Sequence, residues 1–131
     1  MSTDLDTTAL LERAVLSAAL AAPWSFPKVA ELLGPEHFSD RANRETYLAM
    51  VAMDGRGVPP DSTLLIVELT DTKKMSALRG PTIETVHRLL SMAVVPAHLE
   101  FYVEAMLQRS KARQRALELV ASSNVVGAVS G

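Results

Sequence analysis

The sequence contains no cysteine. That excludes disulfides and thiolate metal sites, and it fits a reducing compartment. Histidine is scarce, with His37, His87 and His98 alone, and no two are spaced to ligate a metal from one helix face. Neither charge sign dominates: 13 Lys and Arg stand against 15 Asp and Glu. A net charge of −2 offers no global positive field to draw in nucleic acid. No eighteen consecutive apolar residues occur, so no membrane span is expected. Ala14 to Ala22 is apolar and rich in small residues, like a signal-peptide core. Yet Asp4, Asp6 and Glu12 stand at its front against one cation, Arg13, where a secretory leader is positive. No Gly-x-x-x-x-Gly-Lys-Ser/Thr is present, so no phosphate-cradling loop is expected. The chain reads as soluble and cytoplasmic.

What is present is helical punctuation. At 131 residues the chain suits one domain, burying about two-thirds of its unfolded surface without staples. Only Leu64 to Leu69 passes for a short strand, and no partner run alternates at period two. The first helix is expected from about Thr8 to Ala22, capped by Thr7 or Thr8 and stopped by Pro23. Leu11, Val15, Ala18 and Ala22 make its stripe, widened by Leu16 and Leu20. A short second helix spans about Pro27 to Leu33, with Trp24 and Phe26 plugging the space between the two. Pro35 to Phe38 reads as a turn with Phe38 inward. Ser39 or Asp40 caps a third helix reaching about Met53, with Tyr47, Met50 and Val51 on its buried side. Asp54-Gly55-Arg56-Gly57 offers a glycine for a left-handed residue, and Pro59-Pro60 forces an extended link. Asp61 or Ser62 caps a fourth helix, about Thr63 to Leu69. Asp71 to Arg79 is a basic surface loop. Gly80-Pro81 then opens a fifth helix, with Ile83, Val86, Leu90 and Ala93 as its stripe.

After Pro96 a long sixth helix runs from about Ala97 to Ser123. Leu99, Tyr102, Val103 and Met106 make a core-facing stripe. From Gln108 to Arg115 the helix is polar on nearly every side, which takes it into solvent or against a partner. Leu117 and Val120 restore a thin apolar seam, too narrow for a core but adequate for a helix–helix contact. The chain thus divides into an N-terminal tail over 1–7, a globular helical core over 8–96, a long C-terminal helix over 97–124 and a flexible tail over 125–131. The expected fold class is all-α: a compact bundle of about five to six helices with a long, partly protruding C-terminal helix.

Candidate chemistry is thin. Glu100 and Glu104 lie one helical turn apart, but exposed carboxylates at that spacing are common and no nucleophile stands near them in sequence. His87 and His98 read as lone histidines. No catalytic residue, cofactor or metal site is assigned. Arg109, Lys111, Arg113 and Arg115 form the densest basic cluster, and phosphate contacts there would be salt-dependent. The four spread over more than half the helix circumference, no aromatic is interleaved, and Glu100, Glu104 and Glu118 offset them. A solvated arm or a protein contact is favoured over direct nucleic-acid binding.

Several blocks together resemble the N-terminal domain of DnaB-type replicative helicases, over about residues 9–123. Glu12-Arg13-Ala14-Val15-Leu16-Ser17-Ala18 is similar to the family's Glu-Gln-Ala-Val-Leu-Gly-Ala. Leu33 to Arg44 resembles Leu-x-Pro-Glu-Asp-Phe-Tyr-x-x-x-His-Arg, with His37 for the acid, Ser39 for the aromatic and Asn43 for the histidine. Gly57 to Leu64 is similar to Gly-x-Pro-x-Asp-x-x-Thr-Leu, with Thr63-Leu64 one place early. Val95-Pro96-Ala97, Leu99 and Tyr102 resemble Val-Pro-x-x-x-Asn-x-x-x-Tyr, compressed by about two residues. Of the family's Gly-Gly turn before the fifth helix only Gly80 remains. In the family a second antiparallel arm completes a hairpin after the sixth helix. This chain reaches about the point where that arm would begin, so it reads either as a helicase fragment or as a freestanding relative.

The resemblance implies a collar domain, in which paired subunits sit above a motor ring and receive a primase. The expected function is a non-catalytic assembly and docking domain in DNA replication, the ATP-dependent motor residing in a separate domain. The implied partners are a homodimer or higher homo-oligomer, other helicase subunits, and a primase or helicase loader. The expected interface is the seam Ala112, Leu117 and Val120, flanked by Arg109 and Arg113. Alternatively, Leu117 and Val120 pack on the chain's own first helix. Two other functions are a primase-type helicase-binding domain and a small helical DNA-binding protein. The Pro35-Glu36-x-Phe38 block favours the helicase side over the first, and the lack of a concentrated basic face counts against the second.

Overall fold

The fold is built round one helix. A computed structural model describes residues 3–71 and 83–130, with side chains for 7–70 and 83–122. Helix α1 (Thr3–Ala21) has seven consecutive buried residues, Ala14 to Leu20. Seven successive side chains go nearly twice round a helix, so this stretch has no solvent face. Packed around it are α3 (Arg41–Gly55), α5 (Ile83–Leu90) and α6 (Leu99–Ser130). The expected stripe therefore undercounts the burial. Ala14, Ser17 and Ala19 are buried too, while Leu11 is half-buried. The helix also starts at Thr3, five residues before the expected Thr8, which lies buried inside it.

Pro23 ends α1 as expected, and a single 3-10 turn (Pro23–Ser25) leads into α2 (Phe26–Leu32). Phe26 plugs the core, but Trp24 does not; it is 81% exposed. In a 3-10 turn residues two apart point about 240° apart, so a chain that aims Phe26 inward aims Trp24 out. A second 3-10 turn (Pro35–His37) follows, in which the Gly34 amide donates to His37 Nδ1 at 2.8 Å. Phe38 then turns inward and stacks on Tyr47 at 4.4 Å between ring centres, with Phe26 tilted against the same ring at 5.7 Å. The Tyr47 hydroxyl donates to the Leu33 carbonyl. Burial, with Glu36 and Asp54 adding negative charge nearby, pushes its pKa up to about 12.

Asp40, not Ser39, is the N-cap of α3, and its carboxylate accepts from the Asn43 amide at 3.0 Å. Gly57, at φ +74°, takes the left-handed residue after α3. Beyond Pro59-Pro60, Asp61 caps α4 (Ser62–Asp71) by accepting from the Leu64 amide at 2.8 Å. Leu64 to Leu69 is thus helix, and no strand occurs among the described residues. The expected basic loop lies, apart from Asp71, outside the described residues, as does the Gly80-Pro81 helix start.

In α5 the buried pair is Val86 and Leu89. Ile83 and Leu90 are 43% and 47% exposed, and Ala93 lies past the helix end and is exposed. Val86 is buried as expected, while Leu89 takes the place of Leu90 on a helix that packs on both α1 and α4. Ser17 Oγ donates to the Leu89 carbonyl at 2.7 Å, tying the end of α5 to the axis.

Helix α6 is preceded by a third 3-10 turn (Pro96–His98) and lies antiparallel on α1, burying Leu99, Val103 and Met106. It runs to Ser130, seven residues beyond the expected Ser123. No proline interrupts that stretch, and one glycine, Gly127, costs a helix only about 1 kcal/mol. A 19-residue α1 against a 32-residue α6 leaves the second overhanging.

Candidate interaction site: the terminal helix and the groove at its root

Helix α6 crosses the N-terminal half of α1 where Arg109 Nη1 donates to Thr8 Oγ1 at 3.3 Å. From there α6 continues 21 residues to Ser130, while α1 has five left to Thr3. At about 1.5 Å per residue the overhang is about 24 Å.

The overhang keeps the phase of the core-facing stripe. Leu117 stands 18 residues after Leu99, which is five turns. Arg113 is within about 20° of Met106, and Arg109 and Val120 lie close beside them. So Arg109, Arg113, Leu117 and Val120 share one arc of about 80° with the buried Leu99 and Met106. The two arginines thus lie in line with the seam rather than on its flank. Ala112 does not share it; the residue is exposed about 80° round from Val120. Leu117 is 63% and Val120 58% exposed, so neither packs on α1. Sequence reasoning missed Leu119, 70% exposed on the opposite side. Its signal was an unclaimed leucine between two seam positions.

The other cations point elsewhere. Lys111 and Arg115 are exposed on the face away from Arg109 and Arg113, which confirms the spread of charge round the helix.

At the root of α6 lies an open groove of about 760 Å³ between α2 and the first turns of α6. Trp24, Leu32, Leu99 and Leu107 line it. Lys28 on α2 faces Glu100 on α6 across it at 3.5 Å, both largely exposed. Glu104, one turn further on, accepts from Gln108 Nε2 at 2.9 Å. His87 and His98 are exposed on separate elements, and His98 sits edge-on to Phe101 at 5.9 Å. Among the described residues no three His, Asp or Glu side chains converge to hold a metal. Among them, too, no helix is long and apolar enough to cross a membrane.

One polar cluster that sequence reasoning left unassigned is structural. Glu12 of α1 is 0% exposed. Its carboxylate accepts from the Ser39 amide at 2.6 Å, Ser39 Oγ at 2.8 Å, the Asp40 amide at 3.1 Å and Asn43 Nδ2 at 3.1 Å. These donors sit at the N-terminus of α3, where a negative charge is favoured. The signal for it was a glutamate one turn before Leu16 on an otherwise apolar face.

Known proteins share this architecture. The family model described as DnaB-like helicase N terminal domain matches residues 6–108. The chain belongs to that family. The replicative DNA helicase DnaB of Rhodothermus marinus is 35% identical over 104 residues, which is 76% of this chain and 11% of that protein. The chain therefore spans about a ninth of that relative's length. The crystal structure of the N-terminal domain of DnaB helicase from Mycobacterium tuberculosis superposes with a TM-score of 0.72 and 25% identity, covering 90% of this chain and 84% of that one. The family match ends at Gln108, one residue before the candidate interface begins at Arg109.

Proposed function

We propose that the chain is a non-catalytic assembly and docking domain of a DnaB-like replicative helicase, working in the cytoplasm in DNA replication. It self-associates through the α6 overhang, as a dimer or as units of a larger homo-oligomer. It docks other helicase subunits and a primase or loader on the same helical exterior. Arg109, Arg113, Leu117 and Val120 carry the contact, with Ala112 at its edge.

One observation supports this reading above the others. The stripe that buries Leu99 and Met106 against α1 continues as Leu117 and Val120 where α1 no longer reaches. Apolar side chains held in register beyond their own core are what a helix–helix interface supplies. A two-stranded seam of this kind is self-complementary and suits a symmetric assembly.

Size-exclusion chromatography with light scattering tests it. The wild type should elute as a dimer or larger species, and Leu117→Asp should elute as a monomer of unchanged helical content. Calorimetric titration with a purified primase or helicase loader tests the docking half. Absence of heat at micromolar concentration would discard that half.

A further inference from the structure

We infer that the groove at the root of α6 receives an amphipathic helix of a different protein, one with aliphatic side chains along a single face and a cation beside them. The inference stands apart from the α6 overhang and does not require self-association.

The groove has the shape a helix fills. Its walls are two helices, α2 and α6, and it is open to solvent. Leu99, Val103 and Leu107 follow one another at four-residue spacing along one wall, over about 12 Å or two turns. Val29 and Leu32 stand on the other. A third helix laid between two others meets such a floor with side chains at i, i+4 and i+7. Trp24 and Leu32 are 81% and 47% exposed at the edge. Trp24 is held there. Ser25 returns both its amide and its hydroxyl to the Ala22 carbonyl, at 2.9 and 2.6 Å, which fixes the 3-10 turn beneath the indole. A large aromatic already ordered in the free protein makes an anchor for a docked partner at low entropic cost.

The rim selects the partner's charge. Glu100 and Glu104 lie one turn apart on α6, against one ammonium, Lys28. Lys28 and Glu100 meet across the mouth at 3.5 Å, both largely exposed, so the pair is weak and parts at little cost. Glu104 is met by the uncharged Gln108 amide, so the groove retains negative charge. An arginine or lysine on the flank of the incoming helix supplies the missing cation. The same carboxylates repel phosphate, which counts against a nucleic-acid strand or an anionic lipid surface in this groove. A second copy is a poorer occupant. Leu117 and Leu119 stand about 200° apart round α6, on opposite faces, so one groove does not take both. Leu117 with Val120 makes one apolar turn where the floor has two.

Trp24 is the only tryptophan, so its emission reports directly on its own burial. The probe is a capped helical peptide of about 16 residues, long enough to hold a helix. It is built from alanine and glutamine without aromatics, with leucine at i, i+4 and i+7 and arginine at i+1 and i+3. The arginines fall one on each flank, so either orientation sets a cation against Glu104. Adding this peptide should move Trp24 emission to the blue, with saturation in the micromolar range. Replacing its arginines by glutamate, or its leucines by alanine, should weaken binding at least about tenfold. Leu32→Asp alters an exposed side chain, should fold as circular dichroism verifies, and should weaken binding to the same degree. Glu104→Arg should weaken the arginine peptide and strengthen the glutamate peptide, a crossover that unspecific apolar adhesion does not give. No emission change at millimolar peptide overturns the inference, and so does equal affinity for the arginine and glutamate peptides. An emission shift driven by protein concentration alone and lost in Leu32→Asp gives the groove to a second copy and overturns it likewise. A shift produced by a single-stranded oligonucleotide without peptide does the same.

Discussion

Glu12 places a carboxylate in the interior, where an unpaired charge is costly and a fully hydrogen-bonded one is tolerated. Its four donors come from Ser39, Asp40 and Asn43, and the two from Ser39 and the one from Asp40 lose this partner if the carboxylate is removed. Glu12→Ala should therefore cost about 3 kcal/mol in urea unfolding, far above the cost of an exposed glutamate. Tyr47 sets a second test. Its folded pKa is raised from 10.0 to about 12, chiefly by burial. A group raised in the folded state contributes its full stabilisation below its unfolded pKa and loses it as pH rises. The unfolding midpoint should thus fall between roughly pH 10 and pH 12. Tyr47→Phe should lack that fall and cost about 1 kcal/mol at neutral pH, with the hydrogen bond to Leu33 gone. Gly57→Ala should cost about 1 kcal/mol. Nothing lies within 4 Å of the added methyl group, so the penalty comes from φ +74° alone.

Among the elements, local signals were read correctly and long-range ones were not. Pro23, Asp40, Asp61 and Gly57 act within a few residues of themselves, and each marks a helix end where expected. Tyr47 and Met50 follow the helical period and are buried, and Phe38 is buried at its turn as expected. The misses depend on partners distant in sequence. Ala14, Ser17 and Ala19 are buried because three other helices close round α1, and no window of α1 contains that fact. Glu12 is buried because its donors lie about thirty residues on. Leu89 outranks the expected Leu90 because α5 touches two helices. Of the candidate interface, Leu117 and Val120 share one arc of α6 as expected, whereas the helical period sets Ala112 about 80° round from Val120. In dilute solution, where the chains are dissociated, Leu117→Asp should change unfolding stability by no more than about 0.5 kcal/mol, whereas the same change at Leu99, 7% exposed in the same phase, should unfold the domain.

In the whole molecule α6 is one rod with two parts. Its root completes the core round α1, its far end overhangs α1 by about 24 Å, and Leu117 and Val120 carry the apolar arc onto the start of that overhang. The basic residues between them are spread to both sides of the helix. A fluorescence-anisotropy titration with single-stranded DNA at about 0.15 M salt, near physiological ionic strength, should therefore show weak binding. The central claim is that this chain works by pairing its helical exterior with other chains. Sedimentation equilibrium of the wild type across a wide concentration range tests it most directly. The account predicts an average mass that rises from one chain of 14.1 kDa to two or more. A single-chain mass at every concentration would contradict it.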